Sequence, residues 1–183
     1  LIKKYMSYIS NKAKGLSGAK HITHSTATGS DGERRFYDSC KSKKLDIKKT
    51  PAKDDMHKHT DFIVDGKSFD VKGLKKSHKE GNILIELRNV QGKSGWCNKS
   101  GNPEWVAFDF GLFFVCVSNS DLYDLSCDIC DLKDKVSSIG AAMYKGYTRK
   151  DRKDLMTVVS LSDVIKGCDH WLLPYQSFYS PMD

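Results

Sequence analysis

The dipeptide Asp65-Gly66 lies between two alternating runs, Thr60 to Val64 and Lys67 to Gly73. A two-residue type I′ turn needs positive φ at both central positions, which Asp-Gly adopts at little cost, so the stretch is read as a β-hairpin. The turn sets the register. Val64 faces Lys67, Ile63 faces Ser68, Phe62 faces Phe69 and Asp61 faces Asp70. Phe62 and Phe69 then form an aromatic pair on one face, while Asp61 and Asp70 meet on the other, which Lys72 shares.

Like charges opposed across a hairpin, with Cβ atoms roughly 5 Å apart, destabilise it unless positive charge lies between them. Carboxylate oxygens suit a hard divalent cation, Mg²⁺ with Mn²⁺ able to substitute, and Lys72 is placed to reach a water or a phosphate oxygen. The alternative is a solvated hairpin edge with an ordinary acidic pair. The order Asp61, turn, Asp70-Val71-Lys72 resembles the PD-(D/E)XK nuclease superfamily, in which one strand carries an Asp and the next an Asp/Glu-x-Lys. Thr60 stands where that family has its leading proline. The resemblance implies an α/β, restriction-endonuclease-like domain with a central mixed sheet flanked by helices. It also implies Mg²⁺-dependent hydrolysis of DNA phosphodiesters. Its small stand-alone members include Holliday-junction resolvases and phage, viral, repair and recombination endonucleases, which generally act as homodimers.

A chain of 183 residues, 39% hydrophobic and 29% charged, has material for one domain with a real core. We read 1–183 as a single nuclease domain with its core at about 30–118 and a C-terminal extension at 119–183. A formal charge of +7 favours a polyanionic partner, DNA in this reading. No apolar run reaches membrane-spanning length, and LIKKYMSYISNK lacks the long apolar region of a signal peptide, so a soluble intracellular protein is expected. The six cysteines are scattered. Cys40 and Cys116 fall in apolar patterns, and Cys127-Asp-Ile-Cys130 is a lone CxxC, so reduced thiols are expected.

Ile2, Tyr5, Met6 and Ile9 mark an amphipathic helix, and the small polar stretch from Gly15 to Gly29 reads as a loop. Ser30-Asp31-Gly32-Glu33 has the form of a capping box opening a helix that runs to about Lys44. Glu33 therefore has two readings: it bonds back to the Ser30 amide, or it points inward as the helix glutamate that the resemblance implies in the metal site. Leu45 to Ile47, within the lysine-rich 41–58 stretch, suggests a short strand. In an extended strand His57, His59 and Asp61 project to one face, with His59 opposite Lys72 and suited to phosphate contact.

Ile83 to Leu87 is a strong strand, expected beside the hairpin in the same sheet. Glu86-Leu87-Arg88 within it offers a competing second element, so Glu86 is either an auxiliary metal ligand or water-binding group, or an ordinary salt-bridge partner of Arg88 or a lysine. The polar, glycine-containing loop Asn89 to Trp96 supplies Asn89, Gln91 and Lys93 as candidate DNA contacts. Lys75 and Lys76 before it, and Arg149, Lys150 and Arg152 in a basic, tyrosine-interleaved cluster, join them. LFFVCV at 112–117 reads as a buried strand. Ser118–Cys130 and Leu132–Ala142 read as weaker helices or loops, Met156–Leu161 as a strand, Ser162 as a helix cap, and the tail as aromatic and proline-broken.

The leading function is Mg²⁺-dependent DNA endonuclease activity with Asp61, Asp70, Lys72 and Glu33 at its centre. A non-catalytic nucleic-acid-binding module is the alternative. A third reading is a zinc-binding regulatory domain using His57, His59 and cysteines.

Overall fold

The computed structural model describes residues 25–51 and 59–175. Helix α1 (Ser25–Ser42) leads to β1 (Ile47–Lys49), then β2 (Phe62–Val64) and β3 (Lys67–Lys72), the short α2 (Lys76–Lys79) and β4 (Asn82–Arg88). β5 (Trp105–Asp109), β6 (Phe113–Ser118), α3 (Asn119–Ile129), β7 (Asp131–Val136) and β8 (Lys145–Tyr147) follow, then β9 (Leu155–Ser160), α4 (Leu161–Gly167) and β10 (His170–Pro174). The protein is thus α/β, with a mixed six-stranded sheet ordered β1-β2-β3-β5-β6-β10 and a four-stranded sheet ordered β4-β9-β8-β7. No helix among the described residues is long and apolar enough to cross a membrane. The expected helix at 1–14 and His57 lie outside the described residues.

The Asp65-Gly66 turn forms, with φ of 47° and 82°, and Phe62↔Phe69, Ile63↔Ser68 and Val64↔Lys67 pair as the turn dictates. Phe36 of α1 binds the aromatic pair into the core, its ring 5.8 Å from Phe62 and 5.6 Å from Phe69. β3 also pairs in parallel with β5, which puts Asp70 beside Val106 and Lys72 beside Phe108. Because side chains alternate along a strand, Phe69 and Val71 face α1, whereas Asp70 and Lys72 face the other way. On that second face Val106, Phe108, Val115 and Val117 pack with Ile83, Ile85 and Leu87 of β4 and with α3 and α4.

Several sequence expectations are corrected. α1 begins at Ser25, so Ser30 lies inside the helix, the capping box does not form, and Ser25–Gly29 is not loop. Tertiary packing overrides the poor helix propensity of its glycines, because a Cβ on Gly32 would lie 2.8 Å from the Cα of Gly73. β4 joins the second sheet, paired with β9, and not the hairpin sheet. Residues 131–136 form an exposed strand rich in charge, as suits a sheet edge. Ser160, not Ser162, caps α4 by accepting the Asp163 amide at 3.1 Å, and the tail contributes β10, antiparallel to β6.

At the end of β5, the fully buried Asp109 accepts Arg35 Nη2 at 2.7 Å and the Gly111 amide at 2.7 Å, and Tyr175 donates its hydroxyl to the same carboxylate. The Asp109 carbonyl accepts a hydrogen bond from His78 Nδ1 at 2.8 Å. Burial lowers the His78 pKa to about 4. The unfolded chain, with an ordinary value near 6.5, therefore binds the extra proton between these values. Stability should be full above about pH 6.5 and decline as pH falls toward 4, and thermal melts of His78→Asn should show a shallower acid limb. Gly29→Ala, with nothing within 4 Å of the added Cβ, should stabilise the helix by about 0.5–1 kcal/mol. Gly32→Ala should cost about 1–3 kcal/mol in denaturant titrations, because the helix must lift from Gly73.

Candidate functional site

β2 begins at Phe62, and just before it the hairpin register breaks. The Asp61 amide donates to the Phe69 carbonyl at 2.8 Å instead of following the ladder to Asp70. Its side chain takes over the next ladder position, Oδ2 accepting the Val71 amide at 2.6 Å. Asp61, bonded through its main chain to Thr50 on one side and Phe69 on the other, therefore stands just before β2 and does not pair with Asp70, as the turn count alone required. The same break moves His59 out of the strand. Its φ is 50°, so it neither continues an extended alternation with Asp61 nor pairs with Lys72.

On the face away from α1, Asp70 is 5% exposed and Lys72 Nζ lies 2.5 Å from its Oδ2. That oxygen, though in ionic contact, accepts no hydrogen bond. Lys72 Nζ also sits 4.8 Å from the ring centroid of Trp96, which packs edge-on to Phe108. A carboxylate and an aromatic face thus hold the ammonium from two sides. Trp96 is fixed in turn because the chain at Gly95 presses on β4, where a Cβ would meet the Glu86 carbonyl at 2.3 Å.

The charge state of Asp61 records this crowding. Burial, followed by the Asp70 charge, raises its pKa to about 8, with Glu33 adding to the rise and the Val71 amide and Lys72 opposing it. Glu33 is half-buried on α1 and pairs with Lys49 Nζ at 3.0 Å. It does not cap the helix. Asp61 feels the charges of both Asp70 and Glu33, but no three His, Cys, Asp or Glu residues among those described form a metal-binding group.

Glu86 projects from the face of β4 opposite Ile85 and Leu87, beside a register shift between Glu86 and Arg88. Burial raises its pKa, while Lys72, His59 and Arg149 favour its charged form. It is therefore a partner of the site's cations and not of Arg88. Lys75, just past β3, is lowered by burial and by Lys72, with Asp70 and Glu86 opposing. Asp70, Lys72, Lys75, Glu86, His59 and Arg149 thus form one electrostatic neighbourhood.

The proposed contact loops adjoin each other. Asn89 Oδ1 accepts the Gln91 amide at 3.0 Å and the Lys93 amide at 3.1 Å, so that oxygen shapes its own loop and is not open to a base. Gln91, Lys93, Lys150 and Arg152 are exposed, and the Lys153 amide reaches the Val90 carbonyl at 3.4 Å, bringing the second basic loop against the first. Lys76 is exposed and paired with Glu80 at 3.7 Å. Sequence reasoning missed Asp154, which is buried and anchors Arg149 by accepting its Nε–H and, at 3.0 Å, its main-chain amide. It also missed Trp96 as the seat of Lys72; the only sequence hint was a tryptophan after a glycine-containing loop. All six cysteines are free, and Cys40 and Cys116 are buried as expected.

No protein-family model matches the chain, and comparison with curated proteins and with solved structures returns no match.

Ionising Asp61 costs stability as pH rises from about 4 through 8, because the folded form holds its proton more tightly than the unfolded one. In EDTA, Asp61→Asn should therefore melt a few degrees above the native protein at pH 8, with the gain vanishing toward pH 4. Millimolar Mg²⁺ should raise the melting temperature of the native protein and leave Asp61→Asn and Asp70→Asn unmoved.

Proposed function

We propose that this protein is a metal-dependent DNA endonuclease of restriction-endonuclease-like architecture. One observation carries the reading: half-buried Asp61 and buried Asp70 act on each other electrostatically, Lys72 sits on Asp70 Oδ2, and Lys75, Glu86 and Arg149 share the same charged neighbourhood. The order of helix, Asp, turn and Asp-x-Lys, resembling the PD-(D/E)XK superfamily, supports the same conclusion.

The donor set fits Mg²⁺, which binds proteins through one or two carboxylates and fills its other positions with water and phosphate oxygens. Asp70 Oδ2 is a buried carboxylate oxygen of the required kind; it accepts no hydrogen bond and is held in ionic contact by Lys72 Nζ at 2.5 Å, which a bound ion would displace from it. Asp61 and Asp70 would hold the ion, with Glu33 and Glu86 acting on the surrounding charge. When bound, the ion supplies neutralisation of the phosphate and acidification of the attacking water. Lys72, held between Asp70 and Trp96, orients the water and stabilises negative charge growing on the phosphate. Its pairing with Asp70 keeps the ammonium aimed at the site before substrate arrives. Lys75 and Arg149 attract the backbone, and Lys93, Lys150 and Arg152 extend the positive surface along the strand.

A second reading, a nucleic-acid-binding module, is favoured by the Asp70–Lys72 contact itself, since a structural ion pair needs no metal. The two separate in a gel assay with labelled linear, single-stranded, flap and four-way-junction DNA in Mg²⁺, Mn²⁺ or EDTA. The nuclease reading expects metal-dependent cuts that fall on the order of a hundredfold or more in both Asp70→Asn and Lys72→Ala, with DNA binding by Asp70→Asn within a few-fold of native. Binding without scission under either metal would establish the module instead. Lys150→Ala and Arg152→Ala should each weaken binding on all DNAs and reduce the salt slope by about 1.

A further inference from the structure

Asn82, Leu84 and Glu86 alternate along one face of β4, the face turned away from the shared core. Glu86 belongs to the charged neighbourhood described above. At the Asn82–Leu84 end of the same face lies an open cavity of about 480 Å³, walled by Leu84, Val158, Ile139 and Met143 and lined also by Lys75 and by the Lys76–Glu80 ion pair. Its volume falls within the range of small-molecule sites, roughly 300–1,000 Å³. Among the described residues, the Asn82 side chain has no hydrogen-bond partner, so its amide is available to an occupant.

Lys75 connects the cavity to the candidate site. It follows β3 three residues after Lys72, and it lines the cavity from the opposite end of the β4 face to Glu86. Apolar walls, one free amide and Lys75, beside a Lys76–Glu80 pair that cancels its own charge, match a nucleobase attached to a phosphate. A paired base inside a duplex cannot enter such a recess.

We propose that this cavity receives an unpaired nucleobase of the substrate, its phosphate held by Lys75, so that the enzyme acts on DNA with single-stranded or unpaired nucleotides beside the cut. This rests on the endonuclease reading for the identity of the polymer. The lining contains no aromatic ring, so a base that enters leaves its stacked neighbours without gaining a new stacking partner.

The test uses the full chain with a single-stranded oligonucleotide carrying 2-aminopurine, in EDTA to prevent turnover, with anisotropy reporting binding. Emission should rise several-fold on saturation with the native protein and with Asp70→Asn, and should not rise with the same sequence in a duplex. Gly140→Leu places a side chain at the cavity wall where nothing lies within 4 Å of the added Cβ. It should keep the native melting temperature, abolish the emission rise and cut single-stranded DNA at least several-fold more slowly. A saturated complex without the rise, or a rise that survives Gly140→Leu, overturns the base pocket even if cleavage depends on Asp70. Loss of the endonuclease reading would instead appear as absence of metal-dependent scission, independently of the emission result.

Discussion

Asp109 is the constraint on which the arrangement depends. Its carboxylate is completely buried at the end of the strand that pairs with β3, and removing such a charge from water costs several kcal/mol unless partners replace the water. Arg35 brings α1, Tyr175 brings the chain beyond β10, and Gly111 brings the β5–β6 turn; the adjoining carbonyl brings His78 of α2. These contacts fix the helix over one face of β3 and the α2 segment past its end, so Lys72 and Lys75 leave the strand in a set direction. Removing Arg35 would leave a buried ion without its counter-charge, a loss larger than most single surface changes.

The candidate site is built at the expense of stability. Asp61 is half-buried beside Asp70, and its pKa is raised first by burial and then by the Asp70 charge, which Lys72 only in part offsets. A core designed only for stability would place apolar residues there. The register break at Asp61 serves the same arrangement. By leaving the ladder, the strand turns a carboxylate into a main-chain acceptor for Val71, where it feels the charges of Asp70 and Glu33.

The hairpin was legible because its determinants are local. Asp65-Gly66 fixes the turn, alternation fixes the faces, and Phe62↔Phe69 follows from counting. The ion pair of Lys72 with Asp70 follows too, since residues two apart on a strand share a face. Glu33 was found as a candidate, but its helix began earlier than the capping pattern implied, because Gly32 packing against Gly73 and burial of Phe36 outweigh a local cap. Glu86 was identified without its surroundings: Arg88 is its sequence neighbour, whereas Lys72, His59 and Arg149 reach it only across the fold.

Sequence alone determined the turn, the strand faces, the basic surplus and the residues with chemical potential, since each depends on spacing within a few residues. Tertiary structure decided which sheet β4 enters, where the ladder breaks, that Trp96 carries Lys72, and that Asp154 anchors Arg149 beside Glu86. Those outcomes depend on contacts between segments distant in the chain, where packing and charge are settled by closure of the whole fold and not by any local pattern.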